Sequence, residues 1–236
     1  MQYLFELGKN PTLSRTEIEH VFLRDTVSHT ITANINAYIT ISTEKRISCP
    51  SLMSELGGTI KIGRELPSTA QSVEKTLSSY LAKTQKGKIT FSLSGKDAKK
   101  IALATKKLLK HDGRSVRYVE IKNTATILHN NLVEKQSDCV IVDDTLFVTQ
   151  AIQPIEDLGK RDFERPGRDS KSGMLPPKLA KMMINISAAQ KDATILDPFC
   201  GSGTIATEAI LMGYSKIFAT DISEKAIDDT KKNISW

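Results

Sequence analysis

At 236 residues and 26.0 kDa, with 39% hydrophobic and 25% charged residues, the chain has the composition of a soluble globular protein with one large domain or two to three small ones. No apolar run approaches the ~20 residues of a bilayer crossing, and Glu6 interrupts the short apolar start, which also lacks the basic residues of a secretory signal. Cys49, Cys139 and Cys200 are far apart, and His20, His29, His111 and His129 show no ligand spacing, so no disulfide framework and no metal site are expected, and the home is a reducing cytoplasm.

Residues 3–7 alternate as a strand, and Ser14 with Glu17 reads as a capping box opening a helix to about Arg24. Strands are expected at 26–33 and 38–42, a short helix at 51–56 and a further strand at 59–63. Strand, helix, strand, strand, helix, strand is the order of a ferredoxin-like unit, expected over 1–58 with its last strand shared forward. Over 59–152, helices at 69–83, 96–110 and 125–132 alternate with strands at 89–93, 116–121, 140–143 and 146–152, a compact α/β domain.

The net charge of +6 is unevenly placed. Between Lys83 and Lys122, twelve Lys or Arg face only Asp97, Asp112 and Glu120. On the second helix of this block Lys96, Lys99, Lys100, Lys106, Lys107 and Lys110 fall within an arc of roughly 120°, opposite Ile101, Thr105, Leu108 and Leu109. Like charges at i and i+4 destabilise a helix, so a lysine stripe without interleaved acids points to a polyanion such as RNA. A solvated surface is the alternative.

Residues 153–172, with two prolines, two glycines and many charges, are expected as a linker or ordered loop in which Arg161, Arg165 and Arg168 are candidate phosphate contacts. A helix at 175–189 holds Pro176 and Pro177 in its first turn. Then come a strand at 193–196, a Gly-rich turn, a helix at 204–212, a strand at 216–220 and a helix from Ser223.

The turn is Asp197-Pro198-Phe199-Cys200-Gly201-Ser202-Gly203-Thr204. Gly201, Gly203 and Ala206 satisfy G-x-G-x-x-G/A, and Asp221 follows Gly201 by 20 residues at the end of the next strand. Spacing alone admits a dinucleotide. A carboxylate at the mouth of the turn repels a pyrophosphate, whereas S-adenosyl-L-methionine is phosphate-free and presents an ammonium and a sulfonium. The plainer alternative is that Asp197 and Asp221 only cap the following helices. Cys200, with no activating His nearby in the motif, reads as a small packing residue.

That octapeptide, together with Arg161-Asp162-Phe163-Glu164-Arg165-Pro166-Gly167-Arg168 and Met174-Leu175-Pro176-Pro177-Lys178-Leu179-Ala180, resembles the THUMP-domain RNA methyltransferases, above all those acting on guanine N2 in tRNA. The resemblance is specific over 161–223, weaker over 59–152, and one of element order before that. It implies an α/β protein with a ferredoxin-like module (1–58), a THUMP-like RNA-binding domain (59–152), a linker (153–172) and the first part of a Rossmann-like domain (173–236). It also implies tRNA as partner, S-adenosyl-L-methionine as cofactor, Asp197, Gly201, Gly203 and Thr204 as methionine-side contacts, Asp221 as ribose acceptor, and Leu175 in a helix closing over the cofactor. The family's Asn/Asp-Pro-Pro-Tyr motif has no counterpart here, so no catalytic residue is assigned. The expectation is a truncated frame, or a chain completed by another, with apolar surface left uncovered around its few strands. Two readings stay open beside it: a non-catalytic RNA-binding module, and a nicotinamide-dependent enzyme using Gly201, Gly203 and Ala206.

Overall fold

The computed structural model describes residues 1–35, 37–67, 72–169 and 173–236. In chain order its elements are β1 (Gln2–Leu7), α1 (Pro11–Arg24), β2 (His29–Ile35), β3 (Tyr38–Thr43), α2 (Cys49–Glu55), β4 (Thr59–Glu65) and α3 (Val73–Thr84). They continue with β5 (Ile89–Gly95), α4 (Ala98–His111), β6 (Val116–Tyr118), α5 (Thr124–His129), β7 (Asp138–Val142), β8 (Thr145–Ile152) and α6 (Ile155–Phe163). The last are α7 (Pro177–Ile186), β9 (Thr194–Asp197), α8 (Thr204–Leu211), β10 (Lys216–Ala219) and α9 (Glu224–Ser235). Two compact units result: Met1–Glu6, His29–Met53 and Ile60–Gln153 form the first, and Leu7–Ser28, Ser54–Thr59 and Pro154–Trp236 the second.

The first unit is built on an eight-stranded mixed sheet in the order β2-β3-β1-β4-β8-β7-β5-β6. The first four strands stand in ferredoxin-like order, β3 antiparallel to both β1 and β2. In the other half β8 is antiparallel to β4 and β7, while β5 runs parallel to β7 and β6. Leu77 and Leu81 of α3 and Ala102 and Leu109 of α4 share a core with Ile89, Phe91, Leu93, Cys139, Ile141 and Val148 of the sheet.

The strands on either side of the division expected at 58/59 belong to one sheet. Lys61 on β4 places its Nζ 3.1 Å from Asp138 Oδ2 of β7 and 3.4 Å from Glu6 Oε2 of β1. Ser92 of β5 and Thr149 of β8 donate their hydroxyls to the Asp138 carboxylate at 2.5 and 2.6 Å. Five consecutive strands therefore contribute to one buried network. Burial pulls the Lys61 ammonium down, but Asp138 and then Glu6 more than offset it and hold the group above its usual range.

Other expectations shift for local reasons. The Ser14–Glu17 capping box does not form: Asn10 is the N-cap, Pro11 opens α1, and Ser14 Oγ donates to the Asn10 carbonyl from inside the helix. Lys96 lies outside α4, since Asp97 takes a left-handed φ of +55° and the helix starts at Ala98. The expected linker carries a helix, α6, with Glu156 and Asp157 in its first turn and Lys160 and Arg161 in its last, which suits the helix dipole. Expected helix residues 69–71 and linker residues 170–172 lie outside the described residues.

The second unit contains α1, α6, α7, α8, α9 and the parallel pair β9 and β10, with Ile184, Ala209, Met212 and Tyr214 at its core. Glu17 is wholly buried there. Its Oε1 accepts from the Gly57 amide and from Asn185 Nδ2, and its Oε2 from the Gly58 amide, all at 2.8 Å. Burial pushes this carboxyl up, against the pull of its three donors. One side chain of α1 thus fastens the 57–58 turn and α7. Among the described residues no helix is long and apolar enough to cross a membrane.

Replacing Asp138 by Ala leaves Lys61 as an uncompensated buried charge, so urea unfolding of Asp138→Ala should show a loss of about 3–5 kcal/mol, with a smaller loss for Asp138→Asn.

Candidate functional site

β9 and β10 pair in parallel with Ala219 opposite Asp197, so their carboxyl ends open side by side. The turn after β9 is tied to the end of β10: the Thr220 amide donates to the Asp197 carbonyl and the Cys200 amide to the Thr220 carbonyl, both at 2.9 Å. Asp197 is buried, and its Oδ1 accepts from the Phe199 amide at 3.2 Å. Asp221 is engaged through both oxygens, Oδ2 accepting from the Gly201 amide and Oδ1 from the Ser223 amide, each at 2.9 Å. The Ser223 and then the Gly201 amide hold its carboxyl below the usual carboxylate range.

The two glycines do different work. Gly201 has φ +52°, and a Cβ there would meet nothing within 4 Å, so its backbone faces open space. Gly203 has φ +80°, and a Cβ there would lie 2.7 Å from Thr230 Cγ2, so it is required for the approach of α9 to the start of α8. Thr230 Oγ1 in turn donates to the Gly201 carbonyl at 2.9 Å.

Beside Gly201 lies a cavity of about 720 Å³, a volume usual for small-ligand sites. Asp221 lines it with Ser202, Ser223, the exposed Phe199 and Ile222, and charged residues from two segments. Among the described residues those charges are Arg168 and Lys225 together with Asp169, Asp221 and Asp229. Asp169, Lys225 and Asp229 were not among the expected site residues. Asp229 belongs to α9 and is paired with Lys225 at 2.5 Å, a position that the turn motif does not disclose.

Of the expected cofactor residues, Gly201 and Asp221 line the cavity, whereas Asp197, Gly203, Thr204 and Leu175 do not. Thr204 is buried and its hydroxyl accepts from Arg165 Nη1 at 2.5 Å, while Arg161 Nε donates to Glu208 at 2.6 Å. Two of the arginines read as phosphate contacts are thus fastened to α8. Leu175 precedes α7 rather than lying in a helix, because the helix starts at Pro177. Cys200 is buried, its Sγ 3.6 Å from Thr230 Oγ1. Leu196 and Phe218, in register across β9 and β10, are exposed.

In the first unit Lys99, Lys100, Lys107 and Lys110 are exposed on α4 and Lys106 is half-buried, opposite the buried Ala102, Thr105 and Leu109. The face is not wholly free of acids, since Lys99 lies 3.9 Å from Glu120. Both groups are mostly solvated, so this pair is weak.

Residues 165–235 match the UPF0020 family, RMKL-like methyltransferase domain. A tRNA (guanine(10)-N2)-dimethyltransferase from Methanothermobacter thermautotrophicus is 41% identical over 75 residues, 32% of this chain and 20% of that protein. A ribosomal protein L11 methyltransferase from Acinetobacter baylyi is 46% identical over 43 residues, 18% of this chain and 14% of that protein. This chain therefore spans no more than about a fifth of the length of either relative. By their names one relative acts on a tRNA and the other on a ribosomal protein. The crystal structure of TrmN from Thermus thermophilus aligns with 100% of this chain and 71% of its own, at a TM-score of 0.53 and 16% identity, which shows a common fold.

Gly203→Ala should lower stability by about 2–3 kcal/mol, from the left-handed backbone and the collision with Thr230 together. Adding Thr230→Ala should recover the collision part alone, as read from urea midpoints of the single and double variants.

Proposed function

We propose that the second unit binds S-adenosyl-L-methionine in the cavity beside Gly201 and transfers a methyl group to RNA, the target being the exocyclic N2 of a guanine in tRNA. The lysine face of the first unit, in the role of a THUMP-like domain, supplies RNA contacts. The observation that carries this reading is the Asp221 carboxylate, kept ionised by backbone amides, at the rim of a cavity and next to the open backbone of Gly201.

These residues fit the cofactor. An ionised carboxylate offers about four lone-pair directions; the Ser223 and Gly201 amides, and more weakly that of Ile222, act on Asp221, which still leaves room to accept from a ribose hydroxyl. Phe199 and Ile222 present apolar surface to a flat base. The carboxylate of Asp221 beside the open backbone of Gly201 favours a cationic ligand over a pyrophosphate, which argues against the nicotinamide reading. Bound S-adenosyl-L-methionine supplies an electrophilic methyl group on a sulfonium.

The chain's own residues then act by positioning. Asp197 shapes the turn through its carbonyl and its Oδ1, and does so from outside the cavity lining. Arg161 and Arg165 lock the first turns of α8, which fixes where Gly201 and Ser202 face the cavity. Lys99, Lys100, Lys106, Lys107 and Lys110 attract the phosphate backbone. A guanine amine reaches such a cavity only once its base leaves the stack, and orientation then supplies much of the acceleration.

Calorimetric titration should show binding of S-adenosylhomocysteine and none of NAD, with at least a ~10-fold loss for Asp221→Ala; binding of NAD alone would overturn the assignment. Because its amide donors depress Asp221, the ionised form prevails above its ordinary pKa and is lost only as pH falls through a lower value. Affinity for S-adenosylhomocysteine should therefore stay flat from about pH 8 to about pH 5. Neutralising Lys99, Lys106 and Lys107 together should lower the salt slope of tRNA binding by about 2–3.

A further inference from the structure

The first unit holds a second cleft, of about 440 Å³, whose walls include Tyr3, Arg46, Ser48, Cys49, Arg64 and Gln150. Arg64 stands on β4 opposite Val148, and Gln150 stands on β8 with its Nε2 donating to the Val148 carbonyl. Arg46 and Ser48 lie between β3 and α2, on a segment pinned to β1 where the Tyr3 hydroxyl accepts from the Ile47 amide at 3.2 Å. The wall is therefore held by three strands and a fastened loop.

Among the described residues no acidic side chain lines this cleft, and its charged side chains are the two arginines. Among the described residues neither the Arg46 nor the Arg64 guanidinium has a hydrogen-bond or ion-pair partner. Other arginines of this chain are answered: Arg24 pairs with Asp25 and Glu55, and Arg161 with Glu208. Arg64 is half-buried, and a partly desolvated guanidinium left unanswered carries an energetic cost that an anion would remove. The planar fork of Arg matches phosphate oxygens in pairs, and the Ser48 hydroxyl and Gln150 amide are neutral donors on the same walls. Burial pushes the Cys49 thiol up to about 11 despite the opposing pull of Arg64 and Arg46, so at neutral pH the cleft holds no thiolate nucleophile.

We propose that this cleft binds one phosphate group of RNA between Arg46 and Arg64, as an anchor distinct from the lysine face of α4. The inference rests on the RNA reading made above. The phosphate belongs to the polynucleotide rather than to a free ion, because the cleft lies in the unit that also carries the basic stretch from Lys83 to Lys122.

The test is fluorescence anisotropy of the full chain with a labelled tRNA transcript across a KCl series, comparing wild type, Arg46→Gln, Arg64→Gln and Arg64→Lys. Each Gln variant should lower the salt slope by about 0.7–0.9 and weaken binding roughly 5–10-fold at low salt. Arg64→Lys should keep the slope and lose part of the affinity, since a point charge replaces the fork. Arg46 is exposed, so Arg46→Gln decides the matter should Arg64→Gln fail to fold. Inorganic phosphate at matched ionic strength should weaken RNA binding by wild type and leave Arg46→Gln unaffected. Slope and affinity unchanged in Arg46→Gln, while the lysine variants lose both, would sink this site alone. Wild type that binds inorganic phosphate and shows no arginine dependence for RNA would likewise overturn it, in favour of a free ion. Wild type that binds no RNA would bring down the RNA reading and this anchor together.

Discussion

A single buried ion pair holds the largest piece of this structure in register. Lys61 and Asp138 meet in the middle of the eight-stranded sheet, and Glu6, Ser92 and Thr149 complete their coordination from the neighbouring strands. Such a pair adds little net stability, since desolvation of both charges offsets most of their attraction. Its effect is on choice among alternatives. A slip of one residue in any of the five strands would turn a charged or hydroxyl side chain away from the network and leave the others unanswered in a dry interior. The ferredoxin-like strands and the strands that follow are thereby committed to one sheet, and Arg64 and Gln150 stand on adjacent strands of it.

The second unit divides its labour in a similar way. The Gly-rich turn would be read from its pattern as a surface made wholly for ligand, but half of it serves packing. Gly203 makes room for Thr230, Thr204 takes the Arg165 donor, and Cys200 is buried against the same Thr230. Gly201 alone leaves its backbone to open space. Asp221 belongs to both tasks, because the amides that shape the turn also keep its charge in place.

What could be read in advance follows from how local the cause is. The parallel pair, the turn, Asp221 and the start of α9 at Ser223 were legible, because spacing, glycine and capping chemistry act within a few residues or across one βαβ step. The ferredoxin-like strand order was legible from element order alone. The role of Glu17 was not: the same Ser14-to-Glu17 spacing that suggests a cap is found inside a helix started by Pro11, and the carboxylate's true partners lie far along the chain. Lys96 was misplaced by one left-handed residue, Asp97, and α6 was missed because its charges and glycine read as loop until Arg161 meets Glu208. Long-range partners leave no trace in a local pattern.

The Glu17 junction also sets an order of events during synthesis. Asn185 follows Glu17 by 168 residues, and α7, which carries it, leaves the ribosome well after α1. Helix α1 can form early, but its buried carboxylate has no Asn185 donor until 168 further residues have been made. Contacts of such separation close slowly, since the intervening chain must first be drawn together. The nascent N-terminal segment therefore emerges with an unanswered acidic group on its first helix, and the second unit can complete itself only after the sheet-forming residues between have been translated.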